Sequence, residues 1–194
     1  MSTQPKRRYT LEEYLNLERD SEIKYEFWDG EVFAMSGGTL EHDRIMGNLF
    51  DLLSRELRER DCQVFTNNMQ IKVPAATPYR YADASVVCGK VEVERLNSND
   101  LLLNPVLIIK VLSRSTEAYD RGDKFTYYKS IPSFREYLLI AQHRPHVTHY
   151  VKQAGDQWTY GEINDLAATL HLISLGLTLP LNDIYNSVDF GRSG

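Results

Sequence analysis

The run Val106-Leu-Ile-Ile-Lys110-Val-Leu-Ser113 constrains this chain more than any other. It reads as a strand that is apolar almost throughout, with one lysine in its middle. Flanked by Ile109 and Val111, that lysine is partly desolvated unless it points out of the core, and a charge in such a setting needs a partner or a function. The nearest acid in a strand of similar character is Asp83, near the start of Tyr81-Ala-Asp83-Ala-Ser-Val-Val87. Pairing of Asp83 with Lys110 is therefore expected.

The rest of the chain supplies a fold for that strand pair. With 194 residues, 42% hydrophobic and 25% charged, it suits one domain, 1–194, with a sizeable core. Residues 1–8 read as a flexible basic tail. Thr10-Leu-Glu-Glu13 fits a capping box that opens a helix. Lys24 to Ser36 reads as a hairpin turning at Asp29-Gly30. Thr39 is placed to cap a helix over about 40–60, whose apolar face is Ile45, Leu49, Leu52, Leu53 and Leu57.

Strand-like runs follow at 62–66, 69–73, 81–87 and 106–113. Residues 74–80 read as a loop, and the polar stretch 91–104 as a longer connection. Ser115 or Thr116 is placed to cap a helix through about Lys129, ended by Pro132. Further strands are expected at 136–141, 147–153, 157–162 and 169–175, then a short helix over 182–188. The order implies a mixed sheet with helices on it.

Several function classes drop out. No apolar run approaches the roughly 18 residues of a membrane span. The basic start MSTQPKRRYT has no apolar segment behind it, so it does not read as a secretory signal. Cys62 and Cys88 sit singly, without metal-site spacing, and read as buried free thiols of a cytoplasmic protein. A net charge of −5 does not advertise nucleic-acid binding, although a local basic face can still bind phosphate. His143, His146 and His149 do not share one face of a helix or strand, so they do not read as a metal cluster. Tyr127 and Tyr128 read as helix-packing aromatics, and Arg55, Arg58 and Arg60 as a solvated helix face.

An Asp on one strand followed by a second charged strand is the outline of the PD-(D/E)XK nucleases. More finely, the chain resembles the Uma-two family of endonucleases along nearly its whole length. The segments that carry the likeness are YTLEEYLNLE, YEFWDGEVFAMSGG, LEHDRIMGNL, YADASVV, NPVLIIKVLSRSTEAYDRGDKF and IPSFREYLLI. The resemblance implies a restriction-endonuclease-like α/β (α+β) fold, a mixed β-sheet core flanked by helices. It implies hydrolysis of DNA phosphodiester bonds with Mg²⁺ or Mn²⁺, and a homodimer suited to cutting two strands.

Residue by residue, the resemblance makes Asp83 the first metal carboxylate and Lys124 the catalytic lysine. Glu31, as a metal or metal-water residue, and His42, as an auxiliary group, match polar positions near the site. Arg114 and Arg121, which follow the site strand, are candidates for contacting DNA phosphates. The chain departs from the family at Ala82, Arg114 and Lys110, where the family usually has Pro, Pro and Glu.

The last departure bears on mechanism. A cation at position 110 takes the place of a metal ligand and competes with Mg²⁺. At contact distance that repulsion is worth several kcal/mol even with an effective dielectric constant of about 20. Weak metal binding and impaired cleavage are expected. Three accounts stay open on the sequence. The chain is a degenerate member that binds nucleic acid or has a regulatory or interaction role. Or it is active, with Lys110 deprotonated or turned aside. Or Lys110 is an altered residue in an otherwise active protein.

Overall fold

The apolar run around Lys110 becomes a strand, β9 (Leu107–Leu112), whose six residues are all buried and which has a hydrogen-bonded neighbour on each side. The computed structural model describes residues 7–192 apart from 22, 29, 35, 36, 76–78, 97, 98 and 115. Along β9 alternate side chains serve opposite faces of the sheet. Leu107, Ile109 and Val111 join one core, Ile108 and Leu112 another, and Lys110 falls on the second face.

Around β9 lie β6 (Ala84–Cys88) and β3 (Cys62–Thr66) on one side, and β10 (Glu136–Ala141), β11 (Val147–Lys152) and β12 (Trp158–Ile163) on the other. The six-stranded order is β12-β11-β10-β9-β6-β3, antiparallel except for the parallel pair β9/β10. Parallel neighbours need a crossover. Here it is α3 (Glu117–Arg121) and α4 (Asp123–Tyr128), where Phe125 and Tyr128 pack with Tyr137 and Leu139 over the second face. The first face is covered by α2 (Leu40–Leu57), with α5 (Leu181–Ile184) and the hairpin β13 (Thr169–Leu172)/β14 (Leu177–Pro180).

A second sheet has the order β5-β4-β8-β7, from β4 (Gln70–Lys72), β5 (Tyr79–Tyr81), β7 (Val93–Leu96) and β8 (Asn99–Leu102). Ahead of it stand α1 (Leu11–Asp20) and the hairpin β1 (Tyr25–Trp28)/β2 (Glu31–Ala34). Mixed sheets flanked by helices are what the sequence implied. No helix among the described residues is long and apolar enough to cross a membrane.

Local signals hold where side chains act on their own backbone. The Thr10–Glu13 capping box is formed in both directions. Thr39 accepts from the His42 amide at 3.2 Å and starts α2. All five apolar positions read for that helix are buried. Gly30 turns the first hairpin at φ +81°, and Tyr9 N–H donates to its carbonyl at 2.7 Å. Asp29 and Ser115 lie outside the described residues, as does most of the basic tail.

Four expectations are corrected. Residues 91–104 form the hairpin β7/β8 rather than a loop; alternate exposure along β7 leaves no apolar run to read. The stretch read as a loop to Arg80 ends in β5, with Arg80 buried. The single helix after Ser115 is two helices broken at Gly122 (φ −101°, ψ −96°), where an added Cβ would meet the Ala118 carbonyl at 3.2 Å. Cys62 and Cys88 are not free thiols. Antiparallel pairing of β3 with β6 sets them opposite each other, half-buried, and they are joined as a disulfide.

One buried acid ties the C-terminal hairpin to the sheet. Glu136, fully buried, accepts from the Ile173 and Ser174 amides at 2.7 and 2.9 Å, from the Ser174 hydroxyl, and bonds to His149 at 2.9 Å. Glu136→Gln turns one acceptor into a donor facing donors. It is expected to cost about 2 kcal/mol, measured by denaturant unfolding, with faster amide exchange confined to residues around 170–178.

Candidate active site

The register of β6 on β9 builds the centre. Ala84 lies opposite Ile109, so the next position outward sets Asp83 against Lys110. The Asp83 amide donates to the Ile109 carbonyl at 3.0 Å, which holds the chain in line with the strand. Asp83 Oδ2 lies 3.1 Å from Lys110 Nζ and accepts from the Val111 amide at 2.6 Å. Its Oδ1 faces His42 Nε2 at 3.7 Å, longer than a hydrogen bond, from the capped first turn of α2. Asp83 and Lys110 are 5% and 7% exposed. The pairing expected from sequence is present, and Lys110 is not turned aside.

A second layer closes over this pair. Lys124 Nζ lies 2.8 and 3.0 Å from the two carboxylate oxygens of Glu26 and 3.5 Å from Asp120 Oδ1. Asp120 and Lys124 lie one turn apart on either side of Gly122, and both are buried. Neither carboxylate oxygen of Asp120 has a hydrogen-bond partner among the described residues, though the side chain is fully buried. Arg80 enters from β5, donating to the Phe27 and Tyr79 carbonyls at 2.7 and 2.8 Å. Three acids, Glu26, Asp83 and Asp120, thus share one interior with three cations, Lys110, Lys124 and Arg80.

These charges fix one another. Burial alone would lower the Lys110 pKa, but the carboxylates of Asp83, Asp120 and Glu26 more than offset it and hold the ammonium above its ordinary range. These carboxylates favour the ammonium over the neutral amine at position 110. Burial alone would raise Asp83; Lys110, then His42 and the Val111 amide, outweigh it and keep the carboxyl well below the usual range. Glu26 is lowered in the same way against its own burial, by Lys124 and then Lys110.

Linkage gives the sign of the pH dependence. A lowered acid stabilises the fold above its unfolded pKa and withdraws that stability as pH falls through the folded value. A raised lysine stabilises below its unfolded pKa and is lost only as pH rises past its folded one. With reference values of 3.8 for Asp83, 4.5 for Glu26 and 10.5 for Lys110, stability is expected to be level from about pH 5 to 9. Below about pH 4 it should fall, with proton uptake on unfolding. Calorimetric melting across pH checks this; a midpoint unchanged down to about pH 2 contradicts it.

Of the residues read from sequence, Asp83, Lys110 and His42 meet directly, and Lys124 joins them through Asp120 and Glu26. The hairpin also contributes Glu26, which the sequence reading did not single out. Glu31 sits nearer the turn, paired with Trp28, whereas Glu26 reaches Lys124. Arg114 is exposed just beyond β9. Arg121 points away from the cluster, donating to Glu117 at 2.8 Å and to Thr148 at 2.9 Å.

Glu26, Asp120 and Arg80 went unread. The i, i+4 spacing of Asp120 and Lys124 was a usable signal. Nothing local marked Arg80. Of the three histidines, His146 bonds to Asn164 and Thr148, and His149 to Glu136.

Comparison with known proteins decides the family. Residues 11–182 match the model of Uma2, described as "Putative restriction endonuclease". The chain belongs to the Uma2 family. This Uma2 chain is 33% identical over 180 residues to the uncharacterised protein slr1290 of Synechocystis, covering 92% of each. It is 35% identical over 154 residues to the uncharacterised sll1609 of the same organism, covering 79% of this chain and 86% of that one. In fold it is similar to a crystal structure from Anabaena variabilis described as "a putative nuclease belonging to DUF820". The TM-score is 0.73 at 17% identity, over 91% of this Uma2 chain and 97% of the other.

Proposed function

We propose that this chain is a DNA endonuclease of the metal-dependent PD-(D/E)XK type whose cleavage is impaired by Lys110. The observation that carries the reading is the Lys110 ammonium, 3.1 Å from Asp83 and held among the buried acids Asp83 and Asp120 and the half-buried Glu26. The residues present do not fit a divalent cation. Glu26, Asp83 and Asp120 are already balanced by Lys110, Lys124 and Arg80, and the two lysines stand where the acids would converge.

A carboxylate at position 110 changes that balance. It would leave two units of uncompensated negative charge, which one divalent cation would balance. A metal so held would activate water and neutralise the attacked phosphate. Asp83 and Asp120 would be the acids with oxygens available to it, and Lys124 the cation beside it. Two copies of such a chain, as a homodimer, would cut both strands.

The test is cleavage of labelled single- and double-stranded DNA with Mg²⁺ or Mn²⁺ by the natural chain, Lys110→Glu, and Lys110→Glu with Asp83→Ala. Activity gained by the first change and lost by the second supports the reading. Equal activity in the natural chain and Lys110→Glu overturns the role given to Lys110. A second reading, a nucleic-acid-binding protein that keeps the fold without cutting, is favoured by the near-complete burial of Asp83, Lys110 and Lys124. DNA binding without cleavage by either form would establish it.

A further inference from the structure

We propose that the outer part of the same sheet face binds an unpaired nucleotide of single-stranded DNA, with Tyr160, Glu162, Asn164 and Arg144 as its contacts. The proposal rests on the nucleic-acid reading above and extends it.

Strand register links this place to the cluster. Lys110 pairs with Leu139, Leu139 with Thr148, and Thr148 with Glu162, so the four form one row across β9, β10, β11 and β12 on one face. At about 4.8 Å per strand, Glu162 lies roughly 14 Å from Lys110. Here the face opens into a groove of about 700 Å³ whose lining includes Arg121, Arg144, His146, Glu162 and Asn164. That is within the roughly 300–1,000 Å³ of small-ligand sites. The groove reaches α3, whose Asp120 turns inward while Arg121 turns to Thr148.

The chemistry of the lining selects the ligand. Its two arginines are matched by Glu117 and Glu162, so a continuous line of duplex phosphates would meet repulsion as well as attraction. A single nucleotide suits both signs. Arg144, exposed and without an ion pair among the described residues, is free to take a phosphate. The exposed Glu162 carboxylate accepts from base amino groups. Asn164 Oδ1 accepts from the Nδ1–H of buried His146, which leaves the Asn164 amide N–H groups to donate. Arg121 is already engaged by Glu117 and shapes the wall.

A second observation points the same way. Tyr160 is 68% exposed, two residues from Glu162 on the same face of β12, with its ring 5.8 Å from that of Tyr150. An exposed ring beside a polar groove is a stacking platform for an unpaired base.

Fluorescence anisotropy with a labelled single-stranded 12-mer and its duplex tests the proposal on the full chain, with circular dichroism confirming that each variant is folded. Tighter binding of the single strand is expected. Tyr160→Ala should weaken it about 5- to 10-fold. Arg144→Ala should weaken it and reduce the salt slope by about one. Glu162→Gln should change the preference among dA, dC and dT homopolymers with the salt slope unchanged. Single-strand binding left intact by both Tyr160→Ala and Arg144→Ala overturns the groove while the nucleic-acid reading stands. No binding of either DNA form by the natural chain overturns that reading, and the groove with it.

Discussion

Asp83→Asn is expected to lower the melting temperature by about 10 °C, the largest stability effect of any single change in the cluster. Asp83 lies 3.1 Å from a lysine that is 7% exposed, and its Oδ2 also takes the Val111 amide. Removing one partner of a buried ion pair typically costs about 3–5 kcal/mol, because the other charge is left uncompensated. At about 2–4 °C per kcal/mol for a chain of this size, the lower end of that range corresponds to the stated shift. The lower end is appropriate because Asp120 and Glu26 still face Lys110.

Adding Lys110→Met to Asp83→Asn removes the stranded charge and should recover much of the loss. A recovery of about 2 kcal/mol relative to additivity is the expected coupling. Simple additivity in the double-mutant cycle would mean that the pair is incidental to the fold.

Lys110→Glu is expected to raise divalent-dependent DNA cleavage about 100-fold or more. Two like charges in contact at an effective dielectric constant of about 20 repel by several kcal/mol, and each 1.4 kcal/mol is tenfold in occupancy. The substitution removes that repulsion and supplies an anionic oxygen at the centre of the three acids. It also concentrates negative charge in a buried place, so without metal the variant should melt below the natural chain. Mn²⁺ should restore its stability through linkage. Asp120→Asn in this background should weaken the Mn²⁺ effect, since both Asp120 oxygens lack hydrogen-bond partners among the described residues. A Mn²⁺ response indifferent to Asp120 would place the ion elsewhere.

Much of this was legible in the sequence, for reasons that differ by residue. Thr10, Thr39 and Gly30 act on backbone next to themselves, so their effects could be read in place. Asp83 and Lys110 were legible because a charge in an apolar strand demands a partner, and antiparallel register supplies one. Glu26 was harder. Only the packing of its short hairpin against Arg80 and Lys124 brings it into the cluster. Asp120 carried a signal in its i, i+4 spacing to Lys124, but only the packing of α3 and α4 on the sheet shows that the pair is buried. Cys62 and Cys88 were judged strand by strand, and their pairing exists only in the β3/β6 register. The hairpin over 93–102 sets polar residues side by side, Glu94-Arg95 and Asn99-Asp100, and so showed no apolar period.

The central claim is that the Lys110 ammonium stands where a metal ion would otherwise be held. Isothermal titration of Mn²⁺ into the natural chain and into Lys110→Glu, at matched pH and salt, tests it most directly. The account predicts no saturable binding to the natural chain and a single saturable site in Lys110→Glu that is lost on adding Asp83→Ala. Equal binding by the natural chain and Lys110→Glu, or binding that survives Asp83→Ala, would contradict it.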